Sequence, residues 1–468
     1  MRIIIWGIGR QLMNNIHLLD KNDIICFVDS DLEKHENNFL EKSVILPQQI
    51  KDFNYDYIVI SSDKFFHEIK CDLETKLGAC NEKIINLDYY LFLTGRIELH
   101  RIVDRIATKI KEIGLEYNCQ RILDYGCWFE RNNCLVEDTR RIAIDGFDDV
   151  GSYNDNLVVY NKVYCKNNMP NSHYNIILSL SDSIMRNNIL LDGFMEISDF
   201  IWVLIEKYDS DIVSNENIEV INIYGFLFYS VSKAQKDSVK IYEVSHKNFE
   251  SVCNPIYYPL YVKNIDDLNE KALYAHTGNN IASLNPKINE YTGIYYIWKN
   301  DRAEYVGINH YRRFFASNMF GGCIQKIEVL LLLKKYDVLV ADKVTFRDET
   351  VLSKLKTEIN EDAFNVSIEA VRNLFLNKDF MEYNAYKYVF EGNAIFPCNM
   401  FVMSWDLFEQ YCTWIFPIIN ELVASIEIKE EWDDYSKRVI GFIAERLLTV
   451  WLVEKKYSLK ELEILYTG

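Results

Sequence analysis

The sequence predicts an α/β chain built as three successive units, and three observations predict it. Strand-like and helix-like patterns alternate from the first residues onward, the rhythm of parallel sheets with crossover helices. That rhythm restarts near residue 100 and again at Val239, each time with a fresh apolar strand. Finally, 468 residues exceed what a single hydrophobic core usually holds. The expected units are residues 1–95, 96–238 and 239–468.

The composition is globular: 49% of residues are apolar, Tyr and Phe number 31 and 26, and only 18 Gly and 7 Pro interrupt them. A formal net charge of −18 argues against nucleic acid, which needs a clustered basic surface. The same charge repels an anionic bilayer from most of the surface, so docking there would need a local basic patch. The opening Met1-Arg-Ile-Ile-Ile-Trp-Gly7 reads as a strand entering a turn, without the features of a signal peptide. The apolar run Val329–Leu333 is far short of a bilayer span. The eleven cysteines contain no C-x-x-C pair and are expected to be reduced thiols in a reducing compartment, with no zinc site.

In the first unit, strands are expected at Arg2–Trp6, Ile24–Val28, Tyr57–Ser61 and Lys83–Leu87, with helices at Arg10–Leu19 and Lys64–Leu77. The turn Gly7-Ile8-Gly9-Arg10-Gln11-Leu12 holds two glycines of a dinucleotide fingerprint, with Leu12 in place of the third. Asp29 stands where a ribose-binding carboxylate would. Without the third glycine, no NAD site is expected. The unit resembles small Rossmann-like domains that precede sugar-modifying and sugar-transferring domains.

The second unit carries Arg121-Ile-Leu-Asp124-Tyr-Gly126-Cys127, Arg141-Ile-Ala-Ile-Asp145 and Tyr174–Leu180. These resemble the first, second and fourth strands of an S-adenosylmethionine-dependent methyltransferase. After Gly126, however, come Cys127, Trp128 and Phe129 instead of further glycines. Bulk at this turn fills the cofactor space, so the expectation is a degenerate methyltransferase-like Rossmann domain. A charged stretch at Lys233–Asp237, and no flexible linker, leads into the third unit.

The third unit opens with a strand at Val239–Val244 and carries four motif clusters. They are Ser245-His246-Lys247; Thr277-Gly278-Asn279-Asn280 with Glu290-Tyr291-Thr292-Gly293; Asn309-His310-Tyr311-Arg312-Arg313-Phe314-Phe315; and Pro397-Cys398-Asn399 with Trp432-Asp433-Asp434-Tyr435 and Gly441–Leu447. Together they resemble a bacterial family filed as a domain of unknown function and found in capsule and O-antigen gene clusters. Its members are classed as glycosyltransferases, some linked to furanose transfer. The resemblance spans residues 239–468 and departs at Asn279, where an Asp is expected.

What the resemblance implies is a GT-A-like domain that moves a sugar from a nucleotide-sugar, UDP-linked by expectation, to a glycan or lipid-linked acceptor. A hexofuranose such as galactofuranose is one option for the sugar. The reaction needs a pocket for base and ribose, positive charge on the diphosphate, and a carboxylate for the acceptor hydroxyl. No Asp-x-Asp follows residue 239, and the strand Tyr305–Ile308 runs instead into His310, Arg312 and Arg313. Fixed cations are therefore expected to do the work of a metal, and no metal ligand is assigned. Adjacent arginines on a strand would point to opposite faces.

Asp433 and Asp434 precede the helix expected at Ile440–Val453, so one is read as a helix cap and the other, Asp434 first, as the general base. Glu445, with Arg446 or a sugar hydroxyl as candidate partner, and His310 complete the catalytic candidates. Substrate-binding candidates are His246, Lys247, Asn279, Asn280, Thr292, Trp298, Arg312, Arg313 and Asn399. The expected location is the cytoplasm, with peripheral contact to the inner membrane or to other polysaccharide enzymes left open. Two alternatives stand beside this reading: a methyltransferase of capsule sugars, and a non-catalytic assembly subunit.

Overall fold

The computed structural model describes residues 1–468 except 37, 118, 120, 127, 129–142, 149–161, 166–171, 216, 234–237, 266–269 and 467–468. The chain divides into two compact units, the first of which holds two sheets. One comprises Met1–Lys236 with Val252–Asn254 and Ser317–Gln325; the other comprises Asp237–Ser251, Pro255–Ala316 and Lys326–Gly468.

The first compact unit contains two sheets. Strands β1 (Ile3–Trp6), β2 (Ile24–Val28), β3 (Val44–Ile45), β4 (Tyr57–Ile60) and β5 (Ile84–Asn86) form a parallel sheet in the order β3-β2-β1-β4-β5. Their apolar runs are continuous because the sheet is covered on both faces. The first helix is shorter than expected: Arg10–Asn15 is α-helical and Ile16–Leu18 tightens into a 3₁₀ turn. Leu12 is fully buried in the place of the missing glycine. Asp29 is engaged locally, accepting the Ile8 N–H at 2.9 Å and pairing with Lys34 at 2.8 Å. Burial works to raise its pKa, but Lys34 and the amides of Ile8 and Asp31 prevail and lower it.

The second sheet comprises β6 (Arg121–Tyr125), β7 (Ala143–Asp148), β8 (Lys162–Cys165), β9 (Tyr174–Ser179), β10 (Ser198–Leu204), β11 (Ile218–Ile223) and β12 (Phe226–Ser232). Its order is β11-β12-β10-β9-β6-β7-β8, with β12 antiparallel to both neighbours. The strands read from Arg121, Asp145 and Tyr174 are β6, β7 and β9. Gly126 has φ +100°, and a Cβ there would come within 2.7 Å of the Trp128 indole nitrogen. Cys127, Phe129, Arg141 and residues 234–237 lie outside the described residues.

These two sheets share one compact unit because polar side chains stitch them together. Asn222 Nδ2 donates to the carbonyls of Asn81 and Ile84 at 2.7 and 2.6 Å, and the Tyr89 hydroxyl donates to Ile205 O at 2.5 Å. The segment Ser317–Gln325 belongs to the same unit. Lys70 and Glu74, both buried, form an ion pair at 3.5 Å; Lys70 Nζ donates to Gly321 O at 2.6 Å and Glu74 accepts the Cys323 N–H at 2.7 Å. Gly322, at φ +79°, leaves the space that the Glu74 carboxylate occupies. The expectation that every thiol is free is corrected here: Cys80 and Cys253 form a disulfide across 173 residues, a separation no spacing rule can detect.

The second compact unit is built on one large sheet. Its strands are β13 (Val239–Ser245), β14 (Tyr257–Tyr261), β15 (Leu273–Tyr274), β16 (Tyr305–His310), β17 (Arg313–Phe315), β18 (Val338–Ala341), β19 (Val344–Thr345), β20 (Ala394–Ile395), β21 (Phe401–Ser404), β22 (Leu459–Leu462) and β23 (Ile464–Tyr466). The order is β15-β14-β13-β16-β21-β18-β22, with β17 on β16 and β23 on β17; β19 and β20 pair separately. Tyr242, Val244, Val306 and Ile308 form a core with the helices Tyr291–Asn300, Trp405–Ser425 and Val439–Lys455.

Candidate functional site

In an open α/β sheet, ligands bind outside the carboxyl ends of parallel strands, where the chain reverses its direction of travel across the sheet. Here β14 lies on one side of β13 and β16 on the other, all three parallel. The chain reaches β16 through the helices Asn285–Ile288 and Tyr291–Asn300. A crevice of about 660 Å³ opens at this point, lined by Val244 and Ser245 of β13, Val262 just past β14, and His310 of β16.

Five permanent cations line it: Lys263, Arg312, Arg313, Lys437 and Arg438, against two carboxylates, Glu290 and Asp434. The difference, five minus two, is an excess of three positive charges in a chain of net charge −18. Such local inversion of sign focuses an anionic ligand into the crevice. His246 responds to it, its pKa lowered by burial first and then by Lys263, Lys247 and Arg438.

Arg312 and Arg313 both line the crevice although they adjoin in sequence. The reason is local. His310 pairs antiparallel with Arg313, so Tyr311 and Arg312 form a tight turn and not a continuous strand. The Tyr311 N–H donates to Val244 O at 3.2 Å and holds the turn over β13. Arg438 is aimed by its Nε, which donates to Asn289 Oδ1 at 2.7 Å.

Behind the crevice lies a strained corner. Asn289, Cys398 and Asn399 have φ of +51°, +69° and +52°, conformations that cost free energy for residues with a Cβ and cluster at functional sites. The Cys398 carbonyl accepts from His310 Nε2 at 2.6 Å, while the Cys398 N–H donates to Glu445 Oε1 at 2.5 Å. His310 Nδ1 stands 3.6 Å from Glu290 Oε1. Burial raises the Glu445 pKa against the opposing Arg446 charge and Cys398 amide. Burial also pushes the Cys398 thiol up to about 12, which disfavours the thiolate.

The predicted site residues divide accordingly. His246, His310, Arg312, Arg313 and Asp434 line the crevice. Asp433 accepts from the amides of Tyr435 and Ser436 and from the Ser436 hydroxyl, the geometry of a cap. Asp434 is fully exposed, with Lys437 3.9 Å away. Glu445 accepts the Cys398 N–H with the Arg446 charge nearby, and Arg446 itself pairs with Glu358 at 2.9 Å. Lys247 sits over the Tyr311 ring at 5.4 Å. Asn279 and Asn280 bond within their own loop and to Asn300. Thr292 is buried and bonds Asn285 and the Asn289 carbonyl, and Trp298 stacks on Phe416 in the apolar packing. Asn399 Oδ1 accepts from the Tyr291 hydroxyl at 2.9 Å.

Sequence reasoning missed Lys263, Lys437 and Arg438, and it quoted Glu290 only as part of a motif. Lys263 carried a usable signal, since it follows the end of a parallel strand; Arg438 and Lys437 carried none without the tertiary fold. Among the described residues, no group of three or more His, Cys, Asp or Glu side chains is placed to hold a metal ion.

Comparison with known proteins bears on both units. Residues 240–456 match a family described as a domain of unknown function (DUF4422), and residues 1–85 match one described as C2185-like, N-terminal. An apo structure of WbbM, a bifunctional glycosyltransferase, is 27% identical over 49% of this chain, with a TM-score of 0.39. The match spans 45% of the WbbM chain. A magnesium protoporphyrin IX methyltransferase (ChlM) from Synechocystis PCC 6803 with bound SAM is 9% identical, covering 36% of this chain and 97% of its own, at a TM-score of 0.20. The 16S rRNA methylase ArmA is 14% identical, covering 31% and 95%, at a TM-score of 0.17. No curated protein matches the chain. Among the described residues, no helix is long and apolar enough to cross a membrane.

Proposed function

We propose that this protein is a glycosyltransferase whose donor, a nucleotide-sugar, binds in the crevice at the carboxyl ends of β13 and β16. The observation that carries the reading is the cluster Lys263, Arg312, Arg313, Lys437 and Arg438 around a strand-end crevice that also holds a partly buried carboxylate. A departing diphosphate needs that charge, and an acceptor hydroxyl needs that base. The sequence resemblance over residues 239–468 selects glycosyl transfer among the reactions of anionic ligands. A UDP-sugar, with galactofuranose as one option, is the donor we infer. The acceptor is a glycan or lipid-linked oligosaccharide of a bacterial surface polysaccharide.

Two-way competition between ligands tests this. In a thermal-shift panel, UDP-sugars are expected to stabilise the full chain, because a ligand at about 100 times its Kd adds about 2.7 kcal/mol. S-adenosylmethionine and NADH are expected to give no shift, given Trp128 over Gly126 and Asp29 held by Lys34. A shift with S-adenosylmethionine alone would replace the reading with methyl transfer. No shift with any nucleotide-sugar would favour an assembly subunit.

A further inference from the structure

The glycosyl-transfer reading leaves open which carboxylate accepts the proton, and the geometry, taken on that reading, points to one. Four carboxylates compete. Asp433 is engaged by three donors in its cap, and Glu445 is engaged by the Cys398 amide behind the crevice wall. Asp434 lines the crevice but is fully exposed, so water competes for its lone pairs and no contact fixes its rotamer beyond a loose approach to Lys437. Glu290 also lines the crevice, and its side chain is only 24% exposed. We propose that Glu290, positioned by His310, is the catalytic base that takes the proton from the acceptor hydroxyl.

The positioning can be followed bond by bond. A carbonyl oxygen only accepts, so the 2.6 Å contact between His310 Nε2 and Cys398 O places the hydrogen on Nε2 and turns Nδ1 toward Glu290. Nδ1 stands 3.6 Å from the carboxylate, outside hydrogen-bond range, and attracts it only in the imidazolium form, in which both ring nitrogens carry hydrogen. Glu290 is itself the residue before the helix Tyr291–Asn300, and the buried Tyr291 hydroxyl lies 2.7 Å from Ala444 O, 2.8 Å from the Tyr411 hydroxyl and 2.9 Å from Asn399 Oδ1. Cys398 therefore fixes His310, while Tyr291, next to Glu290, is held jointly by Asn399, Tyr411 and Ala444.

In the step itself, the acceptor O–H proton passes to Glu290 as the acceptor oxygen bonds to the anomeric carbon. The bond from that carbon to the phosphate oxygen breaks, and the diphosphate leaves with the electron pair beside Arg312, Arg313 and Lys263.

The test uses the full chain with UDP-glucose, UDP-galactose and UDP-galactofuranose, reading UDP release with water as acceptor and donor Kd by calorimetry. Glu290→Gln is expected to lower kcat by about 10²–10⁴ while donor Kd stays within about threefold. Formate, a carboxylate small enough to enter the space left, should restore part of the rate to Glu290→Ala. His310→Gln, whose amide can still donate to the Cys398 carbonyl, should keep more activity than His310→Ala; equal losses would overturn the positioning role. Glu290→Gln within about threefold of wild type, or a kcat loss matched by an equal loss of donor binding, would overturn the assignment. So would Asp434→Asn alone producing the large fall. Wild-type chain that neither binds nor cleaves any of the three donors would instead remove the glycosyl-transfer reading, and this proposal with it.

Discussion

Replacing both arginines of the β16–β17 turn, Arg312→Ala with Arg313→Ala, is expected to weaken nucleotide-sugar binding by roughly 10²–10⁴. Each charge-assisted hydrogen bond to phosphate contributes about 1.5–3 kcal/mol, and two are lost. Arg312 is exposed and Arg313 half-buried, so screening places Arg312 toward the lower figure. Lysine should rescue poorly at either position, since a point charge cannot reproduce the guanidinium fork. Turnover should also persist in excess EDTA, because the chain's own cations would neutralise the leaving group. Calorimetry and UDP release measure both effects. Loss of turnover in EDTA, restored by Mn²⁺, would mean that carboxylates such as Asp342 or Asp433 hold a cation; undiminished binding by the double alanine variant would take the diphosphate away from this turn.

The second large effect concerns stability. Lys70→Ala or Glu74→Ala is expected to destabilise the first compact unit by about 3–5 kcal/mol, because each leaves a buried charge without its partner. Swapping the pair for apolar residues, often neutral elsewhere, should not be neutral here. Lys70 and Glu74 also satisfy the Gly321 carbonyl and the Cys323 amide, and a buried unpaired group costs about 1–3 kcal/mol. A lower urea midpoint, with new proteolytic cleavage within Ser317–Gln325, is the expected signature. An unchanged midpoint for both single variants would show the pair to be solvated in solution.

Much of the architecture was legible because buried parallel strands announce themselves as continuous apolar runs. Ile24–Val28 was read to the residue, and β1, β4, β6, β9 and β13 to within a residue or so at their ends. What pattern reading could not see was association across long separations: the Asn222 and Tyr89 bonds that merge two sheets, and the Cys80–Cys253 bridge. The site was legible where a motif sits on a strand end, as at His310-Tyr311-Arg312-Arg313. It was illegible where the crevice borrows from a remote turn, as at Lys437 and Arg438, whose neighbours in sequence say nothing of the pocket. Motif membership alone does not place Asn279, Thr292 or Trp298 on the lining of this crevice. Motif membership and ligand contact are separate properties.

The corner at Cys398 and Asn399 sets stability and activity against each other. Glycine would suit both backbone conformations, sparing on the order of 1 kcal/mol at each position. It would also loosen the peptide that now holds His310 and Glu445, and at position 399 it would remove one of the three partners of the Tyr291 hydroxyl. A screen for heat resistance alone would therefore drift toward glycine here, and a screen for turnover would drift back. This pair of residues is where the two selections can be told apart.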